Sequence, residues 1–261
     1  MAPPLTFLST KTNPRPRSKI FFETIQDFDN TLHSLNHRSA PGMDGWSIGL
    51  IRRICEINPL LKWMICQLVS AMMTSGWYPA VFFENRLIGI PKPGKEGKIR
   101  PITIPSAWRK LIAKSLLSLH HSELLSHVPY EQFGIGKRLA SEAILSTITD
   151  RIDYNTLQHK ETVVTQLDIT SAFPSVDHLQ LLRLLHPTNL NIHPSVYRFI
   201  QHALSRDSLY FCETETPTVI ESTKGLPQGC PLSPILFSIF TSSTIRSVNA
   251  RERPPPLSVV P

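Results

Sequence analysis

The chain has 261 residues, a formal net charge of +7 and a hydrophobic fraction of 41%. A chain of this length can bury a sizeable core, so one globular unit or two closely packed subdomains are expected. The excess of positive charge favours polyanionic partners such as nucleic acid. The four cysteines lack the paired spacing of a zinc site, and they suggest no disulfide framework.

No signal peptide is recognisable, because the first residues include Pro3 and Pro4 and contain no apolar core. The most apolar stretch, residues 60–73, is interrupted by Lys62 and Gln67 and is too short to span a bilayer. It is predicted to be a buried amphipathic helix. We therefore expect a soluble protein without a membrane partner, located in the cytoplasm or the nucleus.

Apolar periodicity predicts an α-rich first half with one basic hairpin. Helices are predicted over residues 21–35, 58–76, 106–125 and 141–152. In the second of these helices, Asn58 is the expected N-cap, Pro59 the first helical residue and Gly76 the C-terminal stop. The apolar residues of that helix recur at every fourth position, at Leu60, Met64, Leu68 and Met72. Strands are predicted over residues 86–90 and 99–104, joined by a turn that projects lysines.

The second half is predicted to combine helices and strands. The clearest strand signal covers residues 162–168, which are partly β-branched and bounded by polar residues. Ser175 could cap the helix that follows, Pro194 is expected to open the next one, and residues 231–241 form a further apolar helix. A hairpin is predicted to join residues 209–212 to residues 218–222. Mixed helices and antiparallel hairpins indicate an α+β fold.

Positive charge is concentrated between residues 86 and 114, where eight basic residues stand against the single acidic Glu96. The basic residues are Arg86, Lys92, Lys95, Lys98, Arg100, Arg109, Lys110 and Lys114. Lysine binds phosphate as a point charge and arginine binds it as a bidentate fork. Lys92 and Arg100, on or beside the hairpin, are therefore candidate phosphate ligands. The alternative is a solvated basic surface without a ligand.

Two further segments suit nucleotide chemistry. Asp168 stands at the end of the predicted strand, where a carboxylate needs a partner, and Mg²⁺ prefers such oxygen ligands. The alternative is that Asp168 caps the following helix. Residues 225–234 contain two glycines and three prolines, so a flat surface can lie against their backbone, and Gln228 offers a donor and an acceptor there. The alternative is a structural loop.

Five segments follow one another in an order that is typical of a known family. They are SAPGMDG at 39–45, IPKPGK at 90–95 with RPI at 100–102, QFG at 132–134, LD at 167–168 with AF at 172–173, and GLPQG at 225–229. Together they resemble the reverse transcriptase domain of non-long-terminal-repeat (LINE-like) retrotransposons. Group II intron reverse transcriptases share much of the pattern. The resemblance extends from about Arg38 to Phe240.

The resemblance implies an RNA-directed DNA polymerase with two Mg²⁺ ions. Asp168 would be the catalytic, first metal-binding aspartate, and the carbonyl of Ile169 would add an oxygen ligand. Phe173 would be the aromatic gate, which excludes a 2′-hydroxyl and thereby selects deoxynucleotides. The expected partners are an RNA template, a DNA primer and deoxynucleoside triphosphates.

The resemblance also implies binding roles. Lys92 and Arg100 would hold the incoming triphosphate, while Gln228 and Gly229 would line the nucleotide and template pocket. Residues 41–45 would lie near the template path. The basic segment would follow phosphate backbones without reading sequence.

The implied architecture is a right-hand polymerase fold. Residues 1–19 would form a disordered arm, 20–160 α-rich fingers, 161–240 a partial palm with an antiparallel sheet, and 241–261 an irregular proline-rich tail, with the thumb absent.

Two departures from the family pattern bear on activity. Pro174 follows the gate where the family usually has Asp or Asn, and it is expected to be tolerated because a helix starts just beyond it. The family's next motif, an aromatic residue, a variable residue and two aspartates, does not follow Phe240, and no aspartate occurs after Asp207. The chain is therefore expected to be a truncated fragment that cannot polymerise.

Two other functions fit parts of the pattern. One is a non-catalytic, nucleic-acid-binding remnant of such a polymerase. The other is a viral RNA-dependent RNA polymerase, against which Phe173 argues, because an enzyme that makes RNA must admit the 2′-hydroxyl.

Overall fold

The computed structural model describes residues 22–252 apart from residues 92, 95–96, 98, 131, 136–139, 167, 206–207 and 212–217. Helices dominate this part of the chain and are joined by a small sheet. The helices are α1 (Ile25–His33), α2 (Ile48–Ile57), α3 (Pro59–Ser75), α4 (Ala107–Leu119), α5 (His121–Ser126), α6 (Ala140–Leu157), α7 (His178–Leu185), α8 (Pro194–Ser205) and α9 (Ser233–Glu252). The predicted mixture of helices and strands is confirmed.

The sheet contains four strands in the order β2-β1-β3-β4. The strands are β1 (Glu84–Pro91), β2 (Ile99–Ile104), β3 (Ser208–Phe211) and β4 (Thr218–Glu221). Both predicted hairpins are present, because β1 pairs antiparallel with β2 and β3 pairs antiparallel with β4. The two hairpins are joined by a parallel pairing of β1 with β3, in which Glu84 faces Ser208. The sequence patterns did not predict this joint, because it connects segments more than a hundred residues apart.

Helix α3 begins and ends where the sequence predicted. Asn58 caps it by accepting hydrogen bonds from the N–H groups of Leu60 and Leu61, Pro59 opens it, and Gly76 ends it in the left-handed conformation at φ 69°. The predicted apolar face is wrong for three of its four residues. Met72 is buried, but 62% of Leu60 is exposed, and Met64 and Leu68 are half exposed.

The error in the face of α3 follows from helix geometry. Residues four apart are rotated by about 40° from one another, so a row of them winds around the helix. The buried residues are spaced by three and four instead: Cys66, Val69, Met72 and Met73, together with Ser70. Because α3 carries apolar residues almost all round, its sequence did not identify the side that faces the core.

Other element boundaries differ from the predictions. The helix predicted over residues 106–125 is two helices that meet at His120, with Ser106 as N-cap. The cap of α7 is Asp177, which accepts a hydrogen bond from the N–H of Gln180 at 2.9 Å, and not Ser175. The tail predicted to be irregular from residue 241 continues α9 as far as Glu252. Residues 1–21 and 253–261 lie outside the described residues.

The strand predicted over residues 162–168 is not formed by those of its residues that the structure describes. Val163 is 88% exposed and Val164 is 62% exposed, and Leu167 lies outside the described residues. β-Branched residues favour strands when a neighbouring strand offers a pleated surface to pack on. The described part of the chain places no strand beside this segment, so the local preference has nothing to pair with.

The core lies around α4, which packs against α1, α3 and α8. Its residues Leu111, Ile112 and Leu116 are fully buried, although Leu119, predicted to lie near the same face, is 38% exposed. Three cysteines are buried as small apolar side chains, as predicted, at Cys55, Cys66 and Cys230. None of the helices in the described part of the chain combines the length and the apolar character that a bilayer crossing requires.

Two partly buried histidines join the end of α4 to the start of α8. The rings of His120 and His193 stack with their centroids 4.4 Å apart. Glu123 holds both, because Nδ1 of His120 lies 3.3 Å from its carboxylate and the backbone N–H of His193 donates to it. Burial lowers the pKa of both rings below 6.5; Glu123 opposes this effect, while Arg198 adds to it at His193.

Acidification is expected to destabilise the fold through this pair. Below pH 6.5 the unfolded chain binds protons at these positions more readily than the folded chain does, so the free energy of unfolding falls as the pH is lowered. Urea unfolding of the double variant His120→Gln, His193→Gln should show a weaker pH dependence between pH 7 and 5. His159→Gln, which removes an exposed histidine, serves as the control. Equal slopes in all three proteins would contradict the assignment.

Candidate nucleotide and template site

A cavity of about 310 Å³ brings together segments that are far apart in the sequence. It is lined by residues from the loop after α1, from α2, from the end of β2, from α4 and from the turn before α9. The lining residues are Leu35, Asn36, Ser39, Ala40, Ile48, Ile102, Thr103, Ile104, Pro105, Lys110, Gln228 and Gly229. Three of the five sequence motifs, those at 39–45, 100–102 and 225–229, therefore contribute to one cavity.

The loop at 39–45 is fixed against the start of α4. The hydroxyl of Ser106 donates to the carboxylate of Asp44 at 2.5 Å. A Cβ at Gly42 would lie only 2.8 Å from backbone atoms of Ser106, so only glycine allows this approach. The rings of Trp46 and Trp108 pack edge to face at 5.3 Å. These contacts hold Ser39 and Ala40 at the wall of the cavity.

The GLPQG loop is fixed against the segment that contains Phe173. The N–H of Gly225 donates to the carbonyl of Val176 at 2.7 Å, and the N–H of Leu226 donates to the carbonyl of Phe173 at 3.0 Å. Nε2 of His178 lies 2.7 Å from the carbonyl of Gly225. Gly225 adopts φ 100°, which favours glycine. The loop is therefore structural as well as a candidate binding element.

Phe173 is half buried and packs on the ring of Phe237 of α9, with centroids 5.2 Å apart. Phe173 begins a single 3₁₀ turn, and Pro174 is its second residue. The first turn of a helix leaves its N–H groups without helical partners, so a residue that lacks an N–H costs little there. Pro174 thus fits the position, as predicted, and it lies against Gly225, whose added Cβ would be 3.3 Å from its Cα.

Lys110 is the buried cation of the cavity. Only 8% of the residue is exposed, and its ammonium group lies 3.5 Å from the carbonyl of Ala40. Burial lowers the pKa of Lys110, and the negative charge of Asp44 partly opposes that effect. The carboxylate of Asp44 also accepts from the N–H of Trp46 at 3.3 Å.

The predicted basic surface is only partly a surface. Arg86 is exposed, but Arg109 is fully buried, with its guanidinium 5.3 Å from the ring centre of Phe83 and bonded to Asn85 at 3.1 Å. The expectation that all eight cations follow a phosphate backbone is wrong for Arg109, since water and nucleic acid do not reach it. Lys92, Lys95 and Lys98 lie outside the described residues.

The family profile described as reverse transcriptase (RNA-dependent DNA polymerase) matches residues 90–257. The chain belongs to the reverse transcriptase family. The matched region contains β2, α4 and the GLPQG loop, which are three of the five segments that line the cavity.

Curated relatives within the reverse transcriptase family come from retrotransposable elements. The SLACS 132 kDa protein of Trypanosoma brucei gambiense is 28% identical over 81% of this chain and 17% of its own length. The R2 Pol polyprotein of Popillia japonica is 27% identical over 81% of this chain and 29% of its own length. The jockey RNA-directed DNA polymerase of Drosophila funebris is 25% identical over 84% of this chain and 24% of its own length. The chain thus spans less than a third of these relatives.

Reverse transcriptases use divalent metal ions. Whether the described residues can bind such an ion depends on which metal-binding side chains lie close together. Within the described ranges, no group of three or more histidine, cysteine, aspartate or glutamate residues lies close enough to bind a metal. Asp168 and Ile169 are exposed, and Asp168 belongs to no such group. The described residues therefore do not form a two-metal site.

The structure places the predicted site residues of this reverse transcriptase domain in separate surroundings. Gln228 and Gly229 line the cavity, and Phe173 is hydrogen-bonded to the same loop. Arg100 faces Ile90 in the β1–β2 pairing, although its side chain is not described, and Lys92 lies outside the described residues. Lys110 was predicted only as one of eight surface cations. No local signal in the sequence marked it as buried, because its burial depends on how α4 packs.

Proposed function

We propose that this chain supplies the template- and nucleotide-binding part of the RNA-directed DNA polymerase of a non-long-terminal-repeat retrotransposon. The observation that carries the proposal is the cavity at which the loop after α1, the end of β2 and the Gln228–Gly229 turn meet. A cavity with apolar walls and a few polar groups is the usual form of a small-ligand site. Family membership over residues 90–257 supports the same conclusion.

In this proposal the fold is a right-hand polymerase. Residues 20–160 form the fingers and residues 161–240 the front of the palm. Gln228 and Gly229 contact the templating base pair, and Phe173 excludes a 2′-hydroxyl. Lys92 and Arg100 bind the triphosphate of the incoming nucleotide.

Asp168 and the carbonyl of Ile169 are the proposed metal ligands of the family's two-Mg²⁺ reaction. Because Asp168 belongs to no group of three potential metal ligands in the described ranges, the 261 residues by themselves are proposed to bind substrates without turnover. What they do is hold the strands, position the nucleotide and exclude the wrong sugar.

The test measures templated selection of a nucleotide. The chain is mixed with a fluorescent DNA primer on an RNA template whose next base is adenine, in buffer containing magnesium. We expect the duplex to bind with a steep dependence on NaCl, and dTTP to bind more tightly than UTP. Phe173→Ala should reduce that preference, because a smaller side chain leaves room for the 2′-hydroxyl. Phe240→Ala is the matched control, because Phe240 is half buried like Phe173 but lies on α9. It should keep the wild-type preference.

Two results would contradict the proposal. Absence of salt-dependent binding to the template–primer would remove the polymerase function altogether. Extension of the primer by the chain alone, abolished in Asp168→Ala, would show that the residues present suffice for turnover.

A non-catalytic nucleic-acid-binding protein is the second candidate. The exposed position of Asp168, outside any group of three potential metal ligands in the described ranges, favours it. This candidate predicts RNA binding that depends on salt. Addition of dTTP or UTP should not change that binding, and neither should Phe173→Ala or Asp168→Ala. The same titrations therefore separate the two functions.

A further inference from the structure

Lys110 presents a buried positive charge to a mostly apolar cavity. An ammonium group removed from water is costly unless it is paired and hydrogen-bonded. It can donate three hydrogen bonds, and within the described part of the chain it makes one long contact, to the carbonyl of Ala40 at 3.5 Å. Asp44, the carboxylate whose charge acts on Lys110, accepts from Ser106 at 2.5 Å and from Trp46 at 3.3 Å. The positive charge is thus incompletely compensated by the protein.

The residues around Lys110 indicate which kind of ligand could neutralise its positive charge. Ile48, Ile102 and Ile104 offer apolar surface, and Gln228 offers an amide. A volume of about 310 Å³ accommodates one flat ring system with a short polar arm. A ligand with an apolar face and an anionic group would match both the walls and the cation.

We propose that Lys110 binds a phosphate group of a nucleotide that occupies this cavity. The proposal rests on the proposed function and deepens it, because it assigns a phosphate ligand in the core-facing part of α4, apart from the hairpin residues Lys92 and Arg100. The phosphate belongs either to a phosphodiester of the template strand or to the triphosphate of the incoming nucleotide. A single ammonium suits both sources, since it acts as a point charge without a preferred plane.

The first measurement compares wild type with Lys110→Met. Binding of a fluorescent 12-nucleotide oligo(A) RNA is followed by anisotropy from 50 to 300 mM NaCl. If the phosphate belongs to the template strand, loss of this one contact should reduce the slope of log K against log salt by about 0.7 and the affinity by about tenfold. Lys160→Met, which removes an exposed lysine that does not line the cavity, should retain the wild-type slope within error.

Two further probes identify the source of the phosphate. If the template supplies it, Lys110→Met weakens RNA binding but leaves dTTP binding to the template–primer unchanged. If the incoming nucleotide supplies it, dTTP binding weakens and RNA binding is unchanged. Either pattern supports the proposal. Equal binding of RNA and of dTTP by wild type and Lys110→Met overturns it.

A second variant keeps the test independent of folding. Asp44→Asn removes the opposing negative charge but retains an acceptor for Ser106, so phosphate binding should become tighter by about two- to fivefold. A purely structural role of the pair would instead give weaker binding in both variants, and that outcome overturns the proposal. Lys110→Met itself should melt no earlier than wild type, because a buried charge is replaced by an apolar chain.

Failure of the proposed function gives a separate result. If the wild type binds neither RNA nor dTTP, calorimetric titration with inorganic tripolyphosphate decides the matter. Binding that is lost in Lys110→Met and retained in Lys160→Met supports a phosphate site in a protein that is no polymerase. Absence of such binding overturns the assignment of Lys110.

Discussion

Replacing Arg109 with methionine is expected to lower the free energy of unfolding by about 1 to 3 kcal/mol, the usual cost of leaving a buried polar group without its hydrogen-bond partner. Arg109 is 1% exposed, and it donates to Oδ1 of Asn85 at 3.1 Å. Asn85, also buried, donates in turn to the carbonyl of Phe83 at 2.9 Å. Loss of the arginine removes the cation over Phe83 and one donor to a buried amide, which is costly to leave unsatisfied.

Urea unfolding followed by circular dichroism measures this effect. Arg86→Met is the matched control, because Arg86 belongs to the same basic segment but is exposed, so the change should stay within about 0.5 kcal/mol. Wherever Arg109→Met remains folded, its RNA binding should keep the wild-type salt slope. A stable Arg109→Met protein with a reduced slope would show that Arg109 contacts nucleic acid.

Replacing Gly42 with alanine is expected to cost about 3 kcal/mol, the upper part of the range for overpacking. The added Cβ would stand 2.8 Å from the Cα and N of Ser106, and neither backbone atom can move without displacing the start of α4. The same change at Gly45 has a different cost. Gly45 has φ 72° and open space around it, so alanine there costs only about 1 kcal/mol of backbone strain.

The pair of alanine variants separates steric closeness from backbone conformation within one loop. The denaturant midpoint should be highest for wild type, lower for Gly45→Ala and lowest for Gly42→Ala. Because the Gly42 change pushes the loop away from α4, it should also weaken binding of the 12-nucleotide RNA, while Gly45→Ala should leave binding near wild type. Equal losses of stability for the two variants would show that Ser106 moves aside freely.

Local sequence signals predicted what local forces decide. The cap at Asn58, Pro59 at the start of α3 and Gly76 at its end act within a few residues, and all three are as predicted. The basic hairpin and its partner hairpin were also predicted, because turns and alternation are short-range. Motif order identified the family, which the match to residues 90–257 shows.

The remaining features depend on which distant segment lies alongside. The parallel pairing of β1 with β3 joins two hairpins into one sheet. The sequence of each hairpin predicts its own two strands and gives no sign of a third. Residues 162–166 have strand-forming composition but no adjacent strand in the described ranges, so they remain irregular. Arg109 and Lys110 are adjacent in one basic segment, yet tertiary packing buries both. Only that packing shows that Arg109 is structural, whereas Lys110 lines a cavity.

The two walls of the cavity are each internally braced, and this restricts how it can open. One wall, around Ala40, is bonded to the start of α4 through Asp44 and Ser106. The other, around Gln228, is bonded through Gly225 to the backbone of Val176. We therefore expect the cavity to widen by displacement of one braced wall relative to the other, between the lining residues Gly229 and Thr103. A Cβ added at Gly229, where φ is 88°, would lie 4.0 Å from the carbonyl oxygen of Thr103, which is an ordinary van der Waals distance.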